Sequence, residues 1–138
     1  MRSPRITPAT LEHLDEIRDL DAREFRGANY PEGSTFWVVD GDPELGYCAA
    51  VIGVDPVRPD GPRVVHLTRG YVGEPLRGSG LQGRMIRLRL AWGRRHGVTR
   101  AQTYTWRDNI PSMRSLARAG FLPLRYRDGY VRWEKELT

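Results

Sequence analysis

A glycine-rich stretch between a strand-like run and a helix-like run is the feature that most limits how this chain can fold. Residues 64–72 have the alternation of a strand, with Val65 and Leu67 on one side. Residues 73–80 contain three glycines, and the apolar residues from Leu81 onward recur at helical spacing. Glycine lets successive backbone N–H groups converge, and a helix N-terminus adds more unpaired N–H groups. This junction therefore predicts an anion-binding turn inside an α/β fold.

The residues of that loop indicate which anion would suit it. The loop reads Arg77-Gly78-Ser79-Gly80-Leu81-Gln82, so Arg77 adds a full positive charge beside the N–H groups. A pyrophosphate fits such a site. The GK[ST] signature of nucleoside-triphosphate loops is absent, and we do not expect a dinucleotide-binding fingerprint. Taken alone, the segment also fits a tight strand-to-helix turn without a ligand.

Length and composition predict a single domain over residues 1–138. A chain of this length buries about two thirds of its unfolded surface. Cys48 is the only cysteine and the three histidines lack zinc-site spacing, so we expect neither an internal disulfide nor a metal. No run approaches a membrane span, and the N-terminus lacks the apolar core of a signal peptide. We therefore expect a cytoplasmic protein.

Charge is divided unevenly along the chain. The first 60 residues contain 6 Arg and 12 Asp or Glu, whereas residues 61–138 contain 16 Lys or Arg and 5 Asp or Glu. The asymmetry predicts one half that binds anions and one that attracts cations. Nucleic acid and a phosphate-rich small molecule both fit the basic half, and composition does not choose between them.

Hydrophobic periodicity predicts ten elements in the order β, α, β, β, β, α, β, α, β, β. Thr10 is the expected cap of the first helix and Gly27 its end, with irregular structure over residues 28–34. The mixture predicts an α/β fold in which helices flank a largely antiparallel sheet. The predicted elements are Arg5–Thr7, the helix after Thr10, Thr35–Val39, Leu45–Val54, Val64–Val72, Leu81 to His96, Val98–Trp106, Asn109 to Ala119, Phe121–Arg127 and Tyr130–Glu136.

Two linked motifs carry a resemblance to a known family. Arg77 and Gly80 fit the phosphate loop [RQ]-x-x-G-x-[GA], although Gln82 replaces its final Gly or Ala. Asn109 then begins a short helical segment that ends in Gly120-Phe121. With this element order, the chain resembles the GNAT superfamily of N-acetyltransferases over nearly its whole length. The resemblance implies a GNAT-like mixed sheet and acetyl-coenzyme A as co-substrate.

The resemblance also implies where the coenzyme binds. Backbone N–H groups of the loop would hold the pyrophosphate, and the strand end would pair with the pantetheine arm. The N–H near Val72 would polarise the thioester carbonyl, while Asn109 and Ser112 would lie along the pantetheine and adenosine. The implied coenzyme-binding residues are Tyr71, Val72, Gly73, Arg77, Gly78, Ser79, Gly80, Leu81, Gln82, Asn109 and Ser112.

Acetyl transfer to an amine requires a proton acceptor, because an alkylamine with a pKa near 10.4 is mostly protonated at pH 7. His66 is the candidate base, since imidazole titrates near neutrality. It stands 11 residues before Arg77, and regular alternation would place it on one strand face with Gly70. A strand histidine without a chemical role is the alternative. Glu74 is a second candidate, more simply interpreted as an ion-pair partner of Arg77.

The departing thiolate needs a proton or a stabilising dipole. Many members of the family carry a Tyr four residues before the second motif's Gly, where this chain has Leu116. Tyr104 is the candidate substitute, with ordinary packing on the sheet as the alternative. Direct transfer uses no protein nucleophile, so we expect Cys48 to be a small core residue.

The acceptor is expected to be a primary amine of a small molecule or a peptide. Asp21, Glu24 and Glu32 could attract it, although each also fits a solvated helix face. Trp37 and Trp106 could line its pocket, but core packing is the expectation for both. Such folds often dimerise, so a homodimer is allowed.

Two other functions fit parts of the sequence. Without a Tyr at position 116, the chain could be an acyl-coenzyme A sensor that keeps the fold but lacks turnover. A nucleic-acid-binding protein is less favoured, because the arginines of the second helix and its exit alternate with apolar residues on several faces. These arginines are Arg84, Arg87, Arg89, Arg94, Arg95 and Arg100.

Overall fold

Seven strands and three α-helices make up the parts of the chain that the computed structural model describes, residues 3–25 and 32–137. The predicted element order is confirmed; three strands have the predicted bounds, and the other bounds that fall on described residues differ by one or two residues. A short 3-10 turn, Glu74–Leu76, inside the glycine-rich loop was not predicted. The expected helix end at Gly27 and residues 28–31 of the expected irregular segment lie outside the described residues. The elements are β1 (Ile6–Pro8), α1 (Leu11–Glu24), β2 (Thr35–Val39), β3 (Gly46–Gly53), β4 (Val64–Val72), α2 (Leu81–Arg95), β5 (Arg100–Trp106), α3 (Ile110–Arg118), β6 (Leu122–Arg127) and β7 (Tyr130–Glu136).

The strands form one open sheet in the order β1-β2-β3-β4-β5-β7-β6. Every neighbouring pair is antiparallel except β4 and β5. The prediction of a largely antiparallel sheet flanked by helices is therefore confirmed. No helix in the described ranges combines the length and the apolar character that crossing a membrane requires.

Helix α1 covers one side of the sheet, called the α1 face below. Thr10 caps it as predicted: its hydroxyl accepts the His13 N–H, and His13 Nδ1 accepts the Thr10 N–H at 3.0 Å. Ile17 and Leu20 are buried against the sheet side chains of a small second core. This helix lies over β2 and β3, so the half of the α1 face formed by β5, β7 and β6 is left uncovered by it.

Helices α2 and α3 cover the opposite side, the α2 face, and enclose the larger core. Leu81, Met85 and Leu90 of α2 are buried there. Cys48 is fully buried in β3, as expected of a small core residue. Burial raises the pKa of its thiol, which opposes the thiolate form a nucleophile needs.

A β-bulge at Thr68 interrupts the pairing of β3 with β4. Ala49 pairs with Arg69 and Ala50 pairs with Leu67, so Thr68 is an extra residue on its strand. Side-chain alternation reverses there: Arg69 reaches Asp21 on α1, whereas a Cβ at Gly70 would contact Gln82 on α2. The expectation that Gly70 shares a face with His66 is therefore wrong, because it assumed an unbroken strand.

Arg89 compensates for the bulge. Its side chain is almost fully buried in α2, and Nη1 donates to the Ala49 carbonyl at 3.1 Å and to the Arg69 carbonyl at 2.7 Å. Nε donates to the Met85 carbonyl. Burial lowers the pKa of this guanidinium. A residue that composition assigns to a basic surface thus supports the strand beside the candidate site.

Candidate functional site

The parallel strands β4 and β5 separate after a short ladder, and their separation opens the sheet. In the described structure they pair at Val65↔Ala101 and His66↔Gln102. The Thr103 hydroxyl then donates to the Leu67 carbonyl at 2.8 Å, where the ladder ends. Beyond it lies a gap of about 210 Å³, lined by the two strands together with parts of α2 and α3.

A larger cleft of about 1310 Å³ lies on the α2 face in front of this gap. It is bounded by the end of β4, the glycine-rich loop, the start of α2 and one side of α3, and it also reaches Glu24 and Phe25 at the end of α1. Gly70, Gln82, Asn109 and Ser112 line both spaces. The cleft and the gap are therefore continuous, which connects the α2 face with the α1 face through the sheet.

The start of α2 presents backbone donors to the cleft. Gly80 precedes the helix with φ of +84°, and no side chain caps it. The first helical hydrogen bond is Arg84 N–H to Gly80 O at 3.2 Å, so the N–H groups of residues 81–83 have no partner within the helix. These three residues line the cleft. Unpaired N–H groups at a helix start favour an anion.

The last residues of β4 expose one edge to the gap. The Gly70 carbonyl accepts from Gln82 Nε2 at 3.4 Å, and the Val72 carbonyl accepts from Arg77 Nε at 3.2 Å. Since the N–H and C=O of a strand residue point to the same side, the N–H groups of Gly70 and Val72 also lie on this edge. Gly73 follows Val72 in the chain. A Cβ at this position would collide with the Glu44 carbonyl, so the close approach of the two backbones requires glycine.

Cations dominate the rim of the cleft. Glu24 is the single carboxylate among the described residues that line it, against six cationic side chains. Sequence reasoning assigned Arg77 to the phosphate loop and named Arg87 and Arg94 only as part of the basic second helix, and it missed the other three. Spacings of four and seven along α2 and α3 could have revealed four of the six, because such residues share a helix face. The six are Arg77, Arg87, Arg94, Arg114, Arg118 and Lys135.

Most of the residues implied for coenzyme binding meet in this cleft. Gly73 and Ser79 are outside its lining, and the Ser79 hydroxyl donates to the Leu76 carbonyl within the loop. Asn109 caps α3 by accepting the Ser112 N–H at 3.3 Å. The nine residues that line the cleft are Tyr71, Val72, Arg77, Gly78, Gly80, Leu81, Gln82, Asn109 and Ser112.

The two candidate catalytic side chains are separated. Tyr104 lines the gap from β5 and is 51% exposed. His66 lines neither space, and its Nε2 lies 2.9 Å from the Val54 carbonyl. Leu116 is buried in the core beside the gap, so this position supplies no proton there.

The expected ion pair between Glu74 and Arg77 does not form in the described structure. Glu74 begins the 3-10 turn, and Arg77 donates to the Val72 carbonyl. Neither residue occurs in an ion pair among residues 3–25 and 32–137. The interpretation of Glu74 as the partner of Arg77 is therefore wrong.

The three candidate acceptor carboxylates have different surroundings. Asp21 is buried and accepts from the Tyr47 hydroxyl at 2.7 Å and from Arg69 Nε at 3.0 Å. Burial, then this hydrogen bond, raises the pKa of Tyr47. Glu24 lines the cleft, whereas Glu32 is exposed and outside both linings. Asp21 therefore already has its cation and is not open to an acceptor amine.

The two tryptophans also differ from each other. Trp37 is buried and meets Trp92 edge to face, as core packing predicted. Trp106 is 55% exposed and stacks on Tyr130 with ring centroids 4.1 Å apart. Core packing is thus the wrong prediction for Trp106, because no described helix covers this end of β5.

The arginines considered for nucleic-acid binding do not form one surface. Arg89 is buried, and Arg100 pairs with Glu134 at 2.8 Å and Glu136 at 3.5 Å. Arg84 donates to the Pro4 carbonyl. Internal contacts occupy half of the proposed patch, which removes its main support.

The glycine spacing alone allows another interpretation. Gly78, Gly80 and Gly83 have the G-x-G-x-x-G spacing of dinucleotide-binding loops, so the sequence pattern does not exclude one. That fingerprint belongs to a mostly parallel sheet. Here β4 and β5 are the one parallel pair among the described strands, which excludes that fold.

Comparison with known proteins identifies the family. The model of the acetyltransferase (GNAT) family matches residues 5–121. Because this match spans most of the chain, the protein belongs to the GNAT family of acetyltransferases. No curated protein sequence gives a significant match.

Solved structures with the same fold include several acetyltransferases. Arabidopsis thaliana NAA60 in complex with a bisubstrate analogue is 14% identical, with 99% of each chain covered and a TM-score of 0.79. NAA60 in complex with acetyl-CoA is 16% identical, with 98% of this chain and 100% of that chain covered and a TM-score of 0.77. A Bacillus subtilis acetyltransferase in complex with CoA is 17% identical, with 99% and 100% covered and a TM-score of 0.73. At these identities the likeness shows the fold.

Proposed function

We propose that this single-domain protein is an acetyl-coenzyme A-dependent N-acetyltransferase that transfers the acetyl group directly to a primary amine. The observation that carries the proposal is the set of unpaired N–H groups at the start of α2, inside a cationic cleft continuous with the gap through the sheet. The GNAT family match supports an acetyl donor. Structural neighbours in complex with acetyl-CoA or CoA support the coenzyme.

The coenzyme would lie in the cleft with its phosphates at the loop. The N–H groups of residues 81–83 and the charge of Arg77 would hold the pyrophosphate. The pantetheine arm would run along the open edge of β4, with Asn109 and Ser112 opposite. Gly73 and Ser79 would act through the backbone shape, since neither lines the cleft.

The thioester would then sit at the gap, where an amine can reach it from the α1 face. The neutral nitrogen attacks the carbonyl carbon, and the Val72 N–H stabilises the oxyanion that forms. Collapse breaks the C–S bond and leaves the amide. The amine loses one proton and the coenzyme thiolate takes one. Tyr104, which lines the gap, is the proposed proton carrier.

Substitution of Gly80 tests the loop assignment. Gly80→Asp places a carboxylate at the proposed phosphates, whereas Gly80→Asn has the same shape without charge and tolerates positive φ. We expect the Asp variant to bind acetyl-coenzyme A at least about tenfold more weakly than the Asn variant, roughly 1.4 kcal/mol. Isothermal titration measures both. Equal affinity in the two variants would falsify the phosphate site.

A sensor without turnover is the second candidate, because buried Leu116 supplies no proton donor at its position. Steady-state release of free coenzyme A with a panel of primary amines separates the two functions. Turnover supports the enzyme. Micromolar binding of acetyl-coenzyme A with no turnover on any amine would support the sensor.

A further inference from the structure

The mouth of the gap on the α1 face is aromatic. Phe25, Tyr104, Trp106 and Tyr130 all line it. Tyr104, Trp106 and Tyr130 are 51%, 55% and 40% exposed, although large aromatic side chains favour burial. Trp106 and Tyr130 face each other across β5 and β7 and are stacked. Contiguous exposed aromatic surface of this kind is typical of a binding site.

The charged side chains that line the gap are positive. The described lining of the gap contains Arg69 and Arg89 and no carboxylate, since Glu24 lines the cleft but not the gap. Asp21, the acid beside Arg69, is already bonded to it. In the strand ladders Arg132 lies opposite Tyr104, and Arg127 lies opposite Tyr130. Directly opposite residues share a face, so both arginines border the aromatic group, and Arg127 is paired there with Asp128 at 3.8 Å.

Arg132 adds a further positive charge beside the mouth. Its Nε and Nη1 are shielded from solvent and have no hydrogen-bond partner in the described structure. A guanidinium that is not neutralised keeps its full field at the mouth.

We infer that the acceptor carries a single amine on a large apolar or aromatic body, and that Trp106 selects it. The inference rests on the proposed N-acetyltransferase function. Aromatic faces attract one ammonium group and cover an apolar body. A second ammonium inside the gap would meet Arg69 and Arg89, because no carboxylate among the described residues lines the gap. Polyamines and aminoglycosides are therefore poor acceptors, contrary to what the acidic first half of the sequence indicates.

The test compares 2-phenylethylamine with spermidine as acceptors, using acetyl-coenzyme A and thiol release. We expect kcat/KM for 2-phenylethylamine to exceed that for spermidine at least tenfold. Trp106→Ala should lower kcat/KM for 2-phenylethylamine about tenfold and leave acetyl-coenzyme A affinity unchanged, whereas Trp106→Phe should retain most of the preference. Tyr126→Ala is the matched control, because Tyr126 is 56% exposed and lines neither the cleft nor the gap.

A second measurement separates this inference from the proposed reaction. Binding of 2-phenylethylamine and spermidine to the coenzyme A-saturated protein is followed by isothermal titration. Selective binding of 2-phenylethylamine that Trp106→Ala abolishes, without turnover, supports the acceptor site and overturns the proposed catalysis. A preference for spermidine, absence of 2-phenylethylamine binding, or equal losses in the Trp106→Ala and Tyr126→Ala variants overturns the acceptor site.

Discussion

At the scale of single residues, His66 shows how a suitable side chain can lie outside a site. Its Nε2 is hydrogen-bonded to the Val54 carbonyl, and its ladder partner is Gln102. An Nε2 that donates to a carbonyl leaves Nδ1 as the acceptor nitrogen. The ring lines neither the cleft nor the gap, so the geometry favours a structural role over the predicted role as base.

Two substitutions of His66 measure this role. We expect His66→Ala to reduce the free energy of unfolding by about 1 kcal/mol, because the Val54 carbonyl loses its donor. His66→Gln keeps an N–H donor and should lose less. Both variants should retain kcat within about twofold, with an unaltered pH–rate profile. Loss of one limb of the pH–rate profile in both variants would restore His66 as the base.

The sequence predicted the loop residues but not the orientation of every strand residue. Alternation assigns a side chain to a face only while the register is regular, and the bulge at Thr68 reverses it. Nothing in the identity of Thr68 marks a bulge. Burial of Trp106 likewise depended on whether a helix covers the end of β5, which is a tertiary property. Gly80 was predictable because its requirement, a positive φ before a helix, is local.

At the scale of elements, α2 has two roles that composition does not distinguish: it lines the cleft, and it supports the strands at the bulge. Arg87 lies on its exposed side and lines the cleft, whereas Arg89 is buried and hydrogen-bonded to the carbonyls at the bulge. Sequence periodicity predicted the helix and placed its arginines on several faces, but it did not predict that Arg89 is buried and Arg87 is exposed. The difference between them is set by the two strands opposite, since β3 and β4 each have a carbonyl group at the bulge that Arg89 satisfies.

Matched substitutions of Arg87 and Arg89 by Met test these two roles separately. Arg89→Met leaves the Ala49 and Arg69 carbonyls without their donor, and each buried unsatisfied group costs about 1–3 kcal/mol. We therefore expect a clear loss of unfolding free energy in urea. Arg87→Met should leave stability nearly unchanged and weaken acetyl-coenzyme A binding severalfold. The assignment of α2 fails if Arg87→Met destabilises the protein as much as Arg89→Met does.

At the scale of the whole molecule, the side of the structure away from the cleft is held by charges. Asp55 is 2% exposed and bonds to Arg58 at 3.1 Å and to Gln102 at 3.0 Å. Arg58 and Arg100 also pair with Glu134. Sequence reasoning missed this network, because Arg58 and Glu134 stand 76 residues apart. The cations of the described structure are therefore divided between those that line the cleft and those that pair with carboxylates elsewhere.

Because of this network, we expect the free energy of unfolding to change with pH in the acid range. Burial by itself would raise the pKa of Asp55, but hydrogen bonds from Gln102, Val57 and Arg58, with the Arg58 charge, hold it below its ordinary value. A carboxylate whose folded pKa is depressed stabilises the fold above its unfolded pKa, about 3.9. That contribution is lost as pH falls through the lower folded pKa. Unfolding free energy should therefore decrease below about pH 4.

Asp55→Asn should remove this dependence and lower stability where the carboxylate is charged. We expect a loss of about 2 kcal/mol at pH 7, because the hydrogen bonds to a charged carboxylate are weakened, and a smaller loss at pH 2–3. Asp60→Asn, at an exposed acid of the same loop, is the control and should change little at either pH. Urea unfolding at the two pH values measures all three proteins. Parallel pH profiles for wild type and Asp55→Asn would show that the acid sensitivity arises elsewhere.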